Sequence, residues 1–311
     1  MNYFDCHVDT LTELFDVDGD LEKNNKNLDM QRVRSFAKQY GHIFAIWNDM
    51  EKISKGKVEE EFRQTYQRAK NRLNQTRNTI NLCLTAKDME EAFALGKEAA
   101  FLSIEDISFM GSYVEQIKEL GFRFAMLTWN HTNQYASGSV SNQKGSLTYE
   151  GRELVKYLMN QGIILDISHL SDRGVEEVFE ITEKPIMASH SNVRQICKMD
   201  RNLPNDYIKE LIRRNGLIGM NFFRPFVGST LDVTMDTLIQ HMDYILNLGG
   251  ENVLAIGSDF DGSDDLFPKG IKGVESIPAL REEMKRAGFS EAILDKVFFE
   301  NAHSFIKKNL I

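Results

Sequence analysis

Eight short, apolar, β-rich runs recur along this 311-residue chain, at residues 3–6, 43–47, 99–104, 122–127, 163–167, 185–189, 217–221 and 253–257. Charged amphipathic stretches with helical spacing separate most of them, at 110–120, 149–161, 173–182, 205–215 and 233–248. Buried parallel strands read as nearly continuous apolar runs, and parallel neighbours must be joined by crossovers long enough to hold a helix. The alternation predicts an α/β protein, a TIM-like (β/α)8 barrel whose functional residues gather at the C-terminal strand ends. An open doubly wound sheet is the competing arrangement, since it is built from the same βα units.

Residues 51–84 fit the alternation least. They predict one long polar helix at about 58–77, followed by an apolar run at 80–84 that belongs to no evident βα unit. We read this segment as an elaboration of a single domain spanning 1–311, because no Pro/Gly/Ser-rich linker or repeat marks a boundary. The Ser-rich stretch 136–146 follows a strand end and is a candidate substrate loop.

Five of the runs end in titratable residues. The first opens Asp5-Cys6-His7-Val8-Asp9, and the others end at Glu105, at Ser168-His169, at Ser189-His190 and at Ser258-Asp259. His7 and Asp9 are two apart, so on extended backbone they project to the same side. Imidazole nitrogen and carboxylate oxygen together suit zinc or a similar divalent ion. If Glu105 bridges, two ions share the site, hold a hydroxide between them and polarise a carbonyl for attack.

Asp259 is placed to carry a proton from the attacking water to the leaving nitrogen; the plain alternative is an Asp-Gly turn. The acidic loop 259–265 lacks the glycine position of a calcium loop, because Gly262 comes too early. Ser189 and Ser191 sit beside His190 without a G-x-S-x-G elbow, which argues against a serine nucleophile. Asp166 is a candidate for fixing an imidazole tautomer. Asn202 and Asp206 read as caps of a turn and of the helix near 206. Arg201 could grip a substrate carboxylate through paired hydrogen bonds, although most arginines are simply solvated.

Composition narrows the partners. With 37 Lys+Arg against 46 Asp+Glu the formal net charge is −9, so a polyanion is repelled and nucleic acid is not an expected partner. Three cysteines, Cys6, Cys83 and Cys197, are an odd number without C-x-x-C spacing, which points to a reducing cytoplasm rather than a disulfide framework. No basic segment with an apolar core opens the chain, and no run of about twenty apolar residues occurs, so neither export nor membrane insertion is expected.

The ordered set of motifs resembles the renal (membrane) dipeptidases of peptidase family M19, bacterial branch. The resemblance runs nearly end to end through Asp5-Cys6-His7-Val8-Asp9, Ser103-Ile104-Glu105, Leu127-Thr128-Trp129-Asn130, Asp166-Ile167-Ser168-His169, Ser189-His190-Ser191, Arg201-Asn202-Leu203-Pro204-Asn205-Asp206, 216–222 and 257–262. It implies a zinc-dependent dipeptidase in which His7 and Asp9 bind one Zn2+, His169 and His190 bind the second, and Glu105 bridges. It implies Asp259 as acid/base, Arg201 on the C-terminal carboxylate of a small dipeptide, acceptance of a D-residue in the second position, and subunits that pair as a homodimer.

Two positions depart from the animal members. Trp129 stands where they have a substrate-binding histidine, with His131 two residues on, and Phe223 replaces a tyrosine. These three residues are candidate substrate contacts on an altered wall. Another amidohydrolase-type reaction, hydrolysis of a lactone or cyclic amide, would use the same ligands without needing Arg201 as a clamp. A non-catalytic binding barrel would be marked by a lost ligand or a lost Asp259, and none is lost.

Overall fold

The computed structural model describes residues 1–14, 19–141 and 145–311. Among the described residues nine parallel strands form one sheet: β1 Tyr3–Val8, β2 Tyr40–Ile46, β3 Ile80–Leu82, β4 Glu98–Ile104, β5 Phe122–Met126, β6 Ile164–Asp166, β7 Met187–Ala188, β8 Leu217–Met220 and β9 Leu254–Ile256. Pairing runs β2-β1-β9-β8-β7-β6-β5-β4, and a direct β2–β4 pairing closes those eight into a barrel. Every predicted strand run is a barrel strand. The doubly wound alternative fails because its sheet would end in two free edges.

The ninth strand explains the irregular segment. One edge of β4 is divided: Glu98–Ala100 pair with β3, whereas Leu102–Ile104 pair with β5. Arg123, at the start of β5, donates from Nε to Leu84 O (2.7 Å), which fastens β3 where the two partners meet. The helix Val58–Gln75 docks through Phe62, whose ring lies 5.5 Å from both Phe109 and Tyr113. Those partners belong to the segment Ile107–Gln116, which is 3-10 rather than the α-helix predicted there. It is broken at Gly111 (φ 54°), where a left-handed residue interrupts the ladder.

Side-chain alternation fills the barrel. Phe4, Ile43, Phe101, Phe124, Ile164, Met187, Leu217 and Ala255 form an inner core with Phe305, Ile306 and Leu310 of the C-terminal segment, while Phe44, Leu102, Leu165 and Ile218 belong to the layer beneath the helices. A Cβ at Gly257 would stand 1.8 Å from Ser189 O, so only glycine lets β9 pass that close to the end of β7. Among the described residues, no helix is long and apolar enough to cross a membrane.

Candidate active site

The residues predicted to carry chemistry all leave the C-terminal ends of barrel strands. His7 and Asp9 close β1, Glu105 follows β4, His169 follows β6, His190 follows β7 and Asp259 follows β9. Five of these six are nearly inaccessible, and the Asp259 side chain is 14% exposed. They converge on one point. His7 Nε2 lies 3.4 Å from Asp9 Oδ2, 3.6 Å from Glu105 Oε2 and 3.9 Å from Asp259 Oδ1. On the other side Glu105 Oε1 lies 3.0 Å from His169 Nε2 and 3.7 Å from His190 Nε2, and those two imidazole nitrogens are 2.9 Å apart.

The arrangement fits divalent ions. Two donors bonded to one ion at about 2.1 Å can be at most about 4.2 Å apart, and each separation above falls within that limit. His7 Nε2 and both carboxylate oxygens of Asp9 are buried with no hydrogen-bond partner, a cost that coordination would remove. Each histidine also has its second nitrogen near a polar atom, as metal-binding imidazoles do. His190 Nδ1 lies 2.8 Å and His7 Nδ1 3.4 Å from Ser189 Oγ, and His169 Nδ1 lies 3.0 Å from Asn130 Oδ1.

Electrostatics point the same way. Burial pushes the Asp9 and Asp259 carboxyls above their usual range, with His7 opposing it. Burial alone would lower the His7 imidazole, but Asp9 and Glu105 outweigh it and raise it. His169 and His190 are lowered, His169 to about 4, by burial and by nearby positive charge that includes Arg201. His169 and His190 are thus neutral donors beside crowded carboxylates, and His7 would give up its proton to a cation, as metal binding requires of an imidazole ligand.

Backbone details hold the donors in place. His169 (φ 66°) and Asp259 (φ 62°) both adopt the left-handed conformation, an energetic cost that neighbouring contacts must impose. Asp259 N donates to His7 O (3.1 Å), and Ser139 N donates to His169 O (2.7 Å). A Cβ at Gly262 would fall 2.3 Å from Asp9 Oδ2 and 2.6 Å from Asp259 Oδ1, so this turn needs glycine to leave both carboxylates room.

Two buried carboxylates brace the mouth from behind. Asp166 Oδ1 accepts from Ser168 N (2.9 Å) and Ser189 N (3.1 Å), clipping the turns that carry His169 and His190. It therefore acts on backbone and not on an imidazole, which corrects the sequence expectation. Asp5 Oδ1 does the same for β1 and β9, accepting from His7 N (3.2 Å) and Ser258 N (2.9 Å). The role of Asp5 was not foreseen, nor was that of Asn221, whose Nδ2 donates to Asp259 Oδ2. The only sequence signal for Asn221 was its position at the end of β8, the same kind of site as the predicted residues.

Arg201 is buried beside this group. Its Nη1 donates to Ser191 Oγ (2.8 Å) and its Nη2 to His190 O (2.9 Å), while Nε has no partner. Asn202 fastens its turn, its Nδ2 donating to Cys197 O (2.9 Å) and Phe226 O (2.8 Å), whereas Asp206 does not cap the helix Asn205–Arg213: it lies inside the first turn, the N-cap is Pro204, and no side-chain cap bond forms. Trp129 forms part of a wall, 5.1 Å from the Trp47 ring and 6.4 Å from the His169 ring. His131 lies further out, 44% exposed, with Nε2 3.5 Å from Glu51 Oε2. Phe223 packs edge-on against Phe226 at 4.8 Å. Residues 142–144 of the candidate substrate loop lie outside the described residues.

The profile of the membrane dipeptidase family (peptidase family M19) matches residues 1–309. A protein from Klebsiella pneumoniae, described as an uncharacterised protein in the pqqA 5′ region, is 27% identical over 238 residues, or 71% of this chain and 86% of that one. A crystallised metallo peptidase from Rhodobacter sphaeroides, liganded with a phosphinate mimic of the dipeptide L-Ala-D-Ala, shares the fold with a TM-score of 0.85 at 23% identity, covering 99% of each chain. The probable dipeptidase PvdM from Pseudomonas aeruginosa does so with a TM-score of 0.86 at 19% identity, covering 99% of this chain and 96% of its own. Because the family profile accounts for almost every residue of a barrel whose mouth is lined with metal-donor groups, the chain belongs to the membrane dipeptidase family, peptidase family M19, as a metallo-dipeptidase.

Proposed function

We propose that this metallo-dipeptidase uses two zinc ions to hydrolyse the amide bond of dipeptides, those with a D-residue in second position included. One observation carries the two-ion reading: Glu105 divides its carboxylate, with Oε2 facing His7 and Oε1 facing His169 and His190. His7 and Asp9 would hold one ion, His169 and His190 the other, and Glu105 both. When bound, such ions acidify a water and polarise the scissile carbonyl.

The protein's own groups supply the rest. Arg201 turns its unpartnered Nε and remaining N–H groups to the substrate's C-terminal carboxylate, and burial strengthens that charge pairing. Asp259, its carboxyl raised by burial above the usual range, takes a proton from the attacking water and returns it to the leaving amine. Asn221 Nδ2 holds its carboxylate in place. The Trp47–Trp129 wall shields one side of the site from water. Acceptance of a D-residue is supported by the dipeptide mimic bound to the Rhodobacter relative. The three buried free thiols suit a reducing cytoplasm.

The test is a screen of L-L, L-D and D-L dipeptides and their C-terminal amides on zinc-loaded protein. Hydrolysis of free dipeptides with the amides much poorer supports the scheme. Equal turnover of the amides removes the Arg201 clamp and favours a lactone or cyclic-amide substrate. Sedimentation of the same material reads whether subunits pair.

A further inference from the structure

Beside Arg201 the barrel mouth opens into a cavity of about 430 Å3, walled by Val140 between Ser139 and Ser141 after β5, by Met199 and Arg201 after β7, and by Phe226 after β8. Val140 is 57% and Met199 40% exposed, two of the seven large apolar side chains left in water among the described residues. A single exposed apolar side chain needs no explanation, but two around one concavity with an aromatic ring have the make-up of a ligand pocket. The Arg201 guanidinium carbon lies 5.7 Å from the Phe226 ring centre, so cation and apolar wall are contiguous.

The cavity is braced from outside. His241, fully buried on the helix Met235–Asn247, accepts from Val193 N at Nδ1 (3.0 Å) and lies 2.9 Å from Val227 O through Nε2. It thereby ties the loops after β7 and β8 together, and Asn202 ties them a second time through Phe226 O. A pocket whose walls are fixed in this way is preformed.

We propose that this cavity receives the side chain of the dipeptide's C-terminal residue and selects a large apolar one. The inference rests on Arg201 holding the C-terminal carboxylate. Carboxylate and side chain leave the same Cα, so a substrate gripped there places its side chain within a few ångströms of the guanidinium, on the Val140–Met199–Phe226 wall. Lys198 and Asp200 at the rim have opposite charges and are both exposed, so the pocket favours neither sign of charge.

The test is kcat/KM on metal-replete protein for L-alanyl dipeptides ending in alanine, leucine or phenylalanine, in both configurations of the second residue. Competitive inhibition by free alanine and phenylalanine is measured alongside as a readout without turnover. Leucine- or phenylalanine-ended substrates should exceed the alanine-ended one by at least about tenfold in the accepted configuration, with inhibition in the same order. The double variant V140S/M199S, checked for unchanged metal content, should reduce that ratio about tenfold. Exposed Leu95, at the opposite end of the barrel, gives the control L95S, which should leave the ratio alone. Hydrolysis without a size preference, or a preference that survives the double variant, overturns the pocket and leaves the dipeptidase reading standing. Hydrolysis of no dipeptide overturns both.

Discussion

Asn221 Nδ2 donates to Asp259 Oδ2 at 3.1 Å, and the same amide nitrogen lies 3.3 Å from His190 O. One fully buried side chain thus joins the carboxylate proposed to carry the proton to the strand end that bears a candidate zinc ligand. A donor to a carboxylate favours its ionised form. Asn221→Ala removes that donor, so the Asp259 carboxyl should rise further and the acidic limb of kcat/KM should move to higher pH by up to about 1 unit. The pH profile of the variant, measured with its metal content unchanged, reads this; an unmoved limb refutes the coupling.

Asp259→Asn is expected to keep both metal equivalents and lose turnover by about 10²–10⁴-fold, the range of a general acid–base contribution. Elemental analysis beside steady-state kinetics checks it. Loss of metal in step with activity would make Asp259 a ligand instead.

Glu105→Gln replaces the shared carboxylate with a neutral amide of the same shape. Both ions should weaken together, since Oε1 and Oε2 each face one histidine group. Wild-type protein should also melt lower after chelation, because an ion at 100 times its dissociation constant contributes about 2.7 kcal/mol. Zinc titration followed by thermal melts measures both effects.

Gly262→Ala should fold and yet lose metal affinity, because its new methyl would displace Asp9 Oδ2 and Asp259 Oδ1. A loss of about tenfold or more in zinc binding, read by competition with a chromophoric chelator, is the expected outcome. Wild-type affinity would mean that the turn relaxes away freely.

Asp261 gives a pH signature in stability. Burial raises its carboxyl to about 6, against hydrogen bonds from Thr10 and from the Asn27 amide that favour ionisation. The folded state therefore holds this proton more tightly than the unfolded state, whose value is about 3.9. Stability from this group is fully present below about pH 4, declines as pH rises to about 6, and is flat above; the total is of order 2–3 kcal/mol. Asp261→Asn should remove that slope from urea midpoints measured between pH 4 and 7.

The strands and the residues that converge at the barrel mouth were legible in the sequence because both are local signals. An apolar run identifies a buried strand, and the residue that ends it sits at the barrel mouth, so His7, Asp9, Glu105, His169, His190 and Asp259 could be named without coordinates. The run at 80–84 could not be placed by the same logic. Its partner is half of an edge that β4 shares with β5, a pairing decided across the sheet.

What the amino-acid order determined by itself was therefore the alternation of elements and the identity of the titratable groups that meet at the mouth. Only the tertiary structure decided how those groups are held: Asp5 clips an amide 253 positions away, Asp166 clips β6 to β7, and Asn221 reaches Asp259. The physical reason is that a hydrogen bond between strand ends depends on distances of a few tenths of an ångström, set by barrel closure and by close passages such as Gly257 against Ser189. No short-range pattern encodes those distances.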